Sequence, residues 1–144
     1  MMPKERDMYL YLIAHNVKEI KTHTYIGCVE HFYMRLQQHN GIRSGGPRIT
    51  KRAAGSWEPL IVLKLPKERK LNSKKLKNEW KQSSRGLESR VKKGFALARK
   101  YNLTCYVTET NKNGVNALNV LKNKWKDGKA HVTDADWDRL VCND

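Results

Sequence analysis

Residues 8–13 read MYLYLI, and residues 24–40 read TYIGCVEHFYMRLQQHN. Tyr, Leu, Ile and Val crowd residues 8–14 and 23–29 at strand length. The polar, lysine-containing link between them predicts an antiparallel hairpin with a loop longer than a tight turn. Gly27 reads as the close turn before a helix over residues 31–39, with Phe32, Met34 and Leu36 able to face inward. On that helix Arg35 and His39 are four residues apart and share a face. Tyr11 and Tyr25 fall on the two strands. Two phenols, a guanidinium and an imidazole brought together can bind a phosphate and move a proton, which points to phosphodiester chemistry.

Beyond the helix, Asn40, Gly41, Gly45, Gly46 and Pro47 mark a loop. It carries Arg43, Arg48, Lys51 and Arg52 and few apolar residues, so an exposed position is expected. Residues 57–65, WEPLIVLKL, read as a third strand, and Pro59 near its start suggests an edge. Residues 73–82 form a helix with Leu76 and Trp80 inward and Glu79 beside them. Residues 85–100 form another, with Leu87, Val91, Phe95 and Ala98 at helical spacing and Arg90, Lys92, Lys93, Arg99 and Lys100 around them. Trp57 and Trp80 read as core. A further short strand is expected over residues 103–108, then a helix carrying Val115, Leu118, Leu121 and Trp125. Thr133 caps a last acidic helix over residues 134–141. The expected fold class is α+β: a small, three-stranded, mainly antiparallel sheet flanked by helices. Residues 8–100 form this domain, and residues 101–144 a C-terminal α/β extension.

The 144 residues include 29 Lys and Arg against 14 Asp and Glu, a net charge of +15. Five of the acids, but only Lys129 and Arg139 among the bases, fall in residues 127–144. Residues 1–126 thus hold 27 bases and nine acids, a balance of +18. A surface of that sign attracts polyanions, of which nucleic acid is the commonest inside cells. The three cysteines, Cys28, Cys105 and Cys142, form no C-x-x-C pair, so neither a disulfide framework nor a zinc module is supported. The apolar run over residues 8–14 is too short for a membrane span. A soluble, intracellular protein is expected, in the nucleus or another compartment that holds DNA.

The run YLY at residues 9–11, TYIG at 24–27, MRLQQHN at 34–40, SGGPRITKRAAGSWEPLIVL at 44–63 and NEW at 78–80 together resemble the GIY-YIG nuclease superfamily. The likeness is greatest to the catalytic domain of the eukaryotic structure-specific endonucleases that cut Holliday junctions and flaps. It covers roughly residues 8–100. The RING-type module of those enzymes has no counterpart here, so a scaffold partner is not implied. The resemblance implies Tyr11 as general base toward the attacking water and Tyr25 as a hydrogen-bond partner of the scissile phosphate or its water. It also implies Arg35 as the steadying cation, His39 as a proton acceptor or relay, and Glu79 as the ligand of Mg2+ or Mn2+. In-line attack builds charge on the nonbridging oxygens, and a poorly basic phenol needs help from neighbours, so Arg35, His39 and Glu79 are expected close to Tyr11.

The leading expectation is therefore a metal-dependent endonuclease acting on branched DNA in recombination or repair. The loop cations Arg43, Arg48, Lys51 and Arg52 and the helix cations Arg90, Lys92, Lys93, Arg99 and Lys100 would hold backbone phosphates. The alternatives are a sequence-specific restriction or homing enzyme, and a binding protein without catalysis. A homodimer built through residues 101–144 is the expected assembly, since one active site cuts one strand.

Overall fold

The computed structural model describes residues 6–15, 19–20, 23–82 and 84–107. The helices read at residues 115–125 and 134–141, the acidic C-terminal segment and most of the suggested dimer surface lie outside these residues.

Strand β1 (Met8–Ala14) pairs antiparallel with β2 (Thr24–Val29) on one side and with β3 (Glu58–Leu65) on the other. A fourth strand, β4 (Thr104–Val107), pairs antiparallel with β3, so the order is β2-β1-β3-β4. The sheet thus has four strands where three were expected in the domain. The short strand read at residues 103–108 supplies the fourth, and the sheet runs past the expected domain end at residue 100. Pro59 is likewise not on an edge strand. β3 is internal, but among the described residues β4 pairs only with Ile61–Lys64, so no described ladder bond is lost at Pro59 on that side. The register of β1 against β3 shifts between Leu12 and Ile13, opposite that same stretch.

Alternation along the strands gives the sheet two buried faces. Leu10, Leu12 and Ala14 of β1 and Ile26 of β2 enter one core with Ile61, Leu63 and Leu65. Tyr11, Ile13 and Val62 enter the other. Burying a Leu or Ile side chain contributes about 1.5–3 kcal/mol. A one-residue slip of β1 would turn each of these onto the wrong face, so its register is strongly specified.

Helices α3 (Ser73–Gln82) and α4 (Leu87–Lys100) cover the first face. The Asn72 side chain accepts the Lys75 N–H at 3.1 Å and starts α3. Leu76 and Trp80, four apart, point into the core, and Trp80 Nε1 donates to the Arg90 carbonyl at 2.9 Å. Gly94 of α4 lets the indole approach: a Cβ there would stand 2.7 Å from Trp80 Cζ2.

The second face is covered by α1 (Phe32–His39) and the one-turn helix α2 (Arg48–Lys51) with Trp57. Phe32 and His39 are buried and Leu36 is half-buried, whereas Met34 is exposed. The inward stripe is therefore positions 32, 35, 36 and 39, and the apolar Met34 lies off it. Among the described residues no helix is long and apolar enough to cross a membrane.

Candidate active site

Tyr11, Tyr25, Arg35 and His39 meet on the α1 side of the sheet. Tyr11 lies mid-β1 and is 1 % exposed. Its hydroxyl is 2.7 Å from His39 Nε2, a buried contact across 28 residues of sequence. The Tyr25 ring, half-buried on β2, stands 4.8 Å from the imidazole and 6.2 Å from the Tyr11 ring, centroid to centroid. Phe32 closes the inner side, its ring 5.2 Å from Tyr11.

Burial pushes the Tyr11 phenol well above its ordinary range, and the neighbouring Tyr25 adds to this. The Arg35 guanidinium beside it pulls the other way. Tyr11 therefore stands as a protonated phenol at neutral pH. His39 is pushed down to about 4, chiefly by burial and then by the Arg35 charge, so its ring is neutral. Arg35 itself is braced from within α1 and by the loop that follows it. Its Nη1 donates to Gln38 Oε1 at 2.8 Å and to the Gly45 carbonyl at 3.2 Å.

Gly27 does not make a turn. It lies within β2, paired directly with Tyr11, and the chain leaves the strand only after Val29. The phenol ring lies over it, in the space that a Cβ at residue 27 would occupy. The absent side chain serves the close approach of a cross-strand neighbour, which strand-length patterning does not reveal.

The loop after α1 is more firmly held than its composition suggests. Asn40 Oδ1 accepts the Gly55 and Trp57 N–H groups at 3.1 and 2.9 Å, and its Nδ2 donates to the Trp57 carbonyl at 3.1 Å. Trp57 Nε1 donates to the Thr50 carbonyl at 2.9 Å. Thr50 is fully buried, and its hydroxyl lies 3.0 Å from His39 Nδ1 and 3.0 Å from the Pro47 carbonyl oxygen. Reading the sequence missed Thr50 and Asn40, both of which look like ordinary loop residues among Gly, Pro and Arg. Their only signals were the Pro47–Thr50 spacing of a helical turn and the Asn at the end of α1.

Glu79 is placed differently from the other four. It lies on α3, which packs against the sheet face opposite the one bearing Tyr11. Its carboxylate accepts from the Tyr101 hydroxyl at 3.1 and 3.2 Å and from Lys100 Nζ at 3.2 Å. Burial favours its neutral form, but hydrogen bonds from Lys100 and Tyr101 and the charges of Lys100 and Lys93 outweigh it and hold the carboxyl below its ordinary range. An ionised, part-exposed carboxylate suits a hard cation, since Mg2+ takes one or two carboxylates and fills its shell with water and phosphate oxygens. Such a cation must compete with the Lys100 ammonium. Among the described residues no group of three or more His, Cys, Asp or Glu is placed to hold a metal ion.

The two groups of cations read as phosphate contacts lie on opposite sides of the sheet. Arg48, Lys51 and Arg52 are exposed on and beside α2, in the same layer as Tyr11 and His39. Arg43, on the loop before them, donates from Nε to Gln37 Oε1 at 2.7 Å. On α4, Lys92 pairs with Glu88 at 3.8 Å in solvent, Lys93 is half-buried, and Arg99 and Lys100 are exposed. Arg90 is turned inward: its Nη1 donates to Thr24 Oγ1 at 3.0 Å, and burial lowers its pKa. It ties α4 to the start of β2. Compared with known protein families and with curated proteins, the sequence has no match.

Proposed function

We propose that this chain is a divalent-metal-dependent DNA endonuclease that hydrolyses phosphodiester bonds, acting on branched DNA such as junctions and flaps. The observation that carries the reading is the buried 2.7 Å contact between Tyr11 and His39, with Arg35 and Tyr25 beside it. A neutral phenol cannot take a proton unless it loses its own, and His39 stands where that proton would go. As water attacks phosphorus, one of its protons passes to Tyr11 Oη while the Tyr11 proton passes to His39 Nε2. The new P–O bond forms as the bond to the departing sugar oxygen breaks, and that oxygen takes a proton from solvent. His39 then returns its proton through Tyr11. Arg35 offsets the charge growing on the phosphate oxygens, where a preorganised cation acts most on the transition state. Tyr25 donates a hydrogen bond to the phosphate. The metal ion that the resemblance implies would be held by Glu79, whose helix packs on the other face of the sheet and whose carboxylate would first have to be released by Lys100 and Tyr101; such an ion supplies charge that offsets the phosphate oxygens.

The test is cleavage of a panel of junction, flap, duplex and single-stranded DNAs with magnesium. Cutting that follows branch position is expected. Cutting at one sequence regardless of branching would make the chain a restriction- or homing-type enzyme. Binding without cutting would make it a DNA-binding protein.

Glu79→Gln keeps the size of the side chain and removes its charge. Cleavage in magnesium should drop about 10²–10³-fold, with DNA affinity within a few-fold. Cutting at the unsubstituted rate would show that Glu79 is not the metal ligand.

The loop cations make a separate prediction. Replacing Arg48, Lys51 and Arg52 together by Ala should weaken all DNA substrates alike. Each phosphate that is no longer neutralised should flatten the slope of log affinity against log salt by about 0.9 on duplex arms. A salt titration with an unchanged slope would remove α2 from the DNA-binding surface.

A further inference from the structure

The His39 ring has two buried neighbours, and their hydrogen count decides which way its protons run. Thr50 has one hydroxyl hydrogen and two partners at 3.0 Å, the Pro47 carbonyl and His39 Nδ1. A carbonyl oxygen can only accept. If Thr50 donates to Pro47, its oxygen is left to accept from a protonated Nδ1. Nε2 is then bare and accepts from the Tyr11 hydroxyl, and all three contacts are satisfied. If the ring instead carries its hydrogen on Nε2, Thr50 must donate to Nδ1. The Thr50–Pro47 contact then sets two oxygens face to face, and Tyr11 loses its acceptor. Leaving buried polar groups so paired costs more than a net hydrogen bond gains.

Resting on the nuclease reading above, we infer that Thr50 is a positioning residue that fixes the His39 tautomer, so that Tyr11 donates inward and accepts nothing from the imidazole, which leaves an oxygen lone pair for the attacking water. The chain Tyr11–His39–Thr50–Pro47 then runs in one direction and ends on a carbonyl dipole, which favours positive charge on the ring as it takes the proton. Thr50 belongs to α2, in which Arg48 and Lys51 are exposed, as is Arg52 just after it. The same helical turn thus presents cations outward and orients the proton acceptor inward. Asn40 and Trp57 hold that turn from the other side.

The test begins with the unsubstituted 144-residue chain, labelled with 15N and observed through the two- and three-bond couplings of its imidazole rings at neutral pH. His39 is assigned from a His39→Gln spectrum. The expected pattern has the proton on Nδ1 and a bare Nε2. A ring protonated on Nε2 overturns the inference, whatever the cleavage assays give. Thr50→Val keeps shape and removes the hydroxyl, and Thr50→Ser restores it. Valine should scramble the tautomer and slow cleavage about 10- to 100-fold, and serine should recover both. Serine as slow as valine, or valine as fast as the unsubstituted chain, would refute the role. If valine prevents folding, the spectrum of the unsubstituted chain and the serine variant decide the matter. A chain that cuts no DNA yet shows the Nδ1 proton would sink the nuclease reading and leave the Thr50 assignment standing.

Discussion

Tyr11→Phe is expected to cut branched DNA about 10²–10⁴-fold more slowly than the unsubstituted chain, the range a positioned general base contributes. The ring stays, so its packing against Phe32 and Tyr25 stays. The substitution removes the one oxygen that can take the water's proton and hand its own to His39. The change is not silent for folding, because His39 Nε2 is left without its partner in a buried place. Such an orphan costs about 1–3 kcal/mol, so the unfolding transition should move down by several degrees. Cleavage must therefore be compared at a temperature where circular dichroism shows both proteins folded, with DNA binding measured beside it. Binding should be kept, since the cations on α2 are untouched. A folded Tyr11→Phe protein that cuts at the original rate would end the role of Tyr11 as base.

Gly27→Ala is the second large effect, and it acts through the same phenol from the opposite strand. A Cβ at residue 27 would stand 2.5 Å from Tyr11 Cζ and closer still to its hydroxyl oxygen. Neither neighbour can yield cheaply. The ring is held by Phe32 on its inner side, and residue 27 is held by its pairing with Tyr11 in the sheet. Either the phenol swings away from His39 or β2 parts from β1. Overpacking of this kind costs about 1–3 kcal/mol, and the displaced hydroxyl should reduce cleavage at least as far as Tyr11→Phe does. Denaturant unfolding and single-turnover cleavage together check this. A stable, fully active Gly27→Ala protein would mean that the ring has room to move and that its placement over Gly27 is not required.

The strands and helices were legible because their signals are local. Alternation in MYLYLIA sorts Leu10 and Leu12 from Tyr11 and Ile13 onto two faces, and each face found its own core. The spacing of Leu76 and Trp80, and of Val91, Phe95 and Ala98, likewise placed α3 and α4 within one or two residues of where they lie. Arg35 and His39 share a helix face by geometry alone, so their meeting with Tyr11 needed only the hairpin and the helix to pack.

The remaining features depend on partners distant in sequence, and no local pattern carries those. Pro59 looked like an edge residue because its own strand does not reveal that β4 pairs on the far side of β3. Gly27 looked like a turn because a missing side chain reads the same whether it frees the backbone or makes room for a ring. Arg90 looked like a DNA contact until the fold set it beside Thr24, 66 residues away. Glu79 read as a neighbour of Tyr11, but packing put its helix on the other face of the sheet, with Lys100 and Tyr101 against its carboxylate. Thr50 is the sharpest case. A threonine among arginines and lysines has the composition of a solvated loop, and only the tertiary fold buries its hydroxyl between the Pro47 carbonyl and His39 Nδ1, 3.0 Å from each, where a single hydroxyl hydrogen cannot serve both.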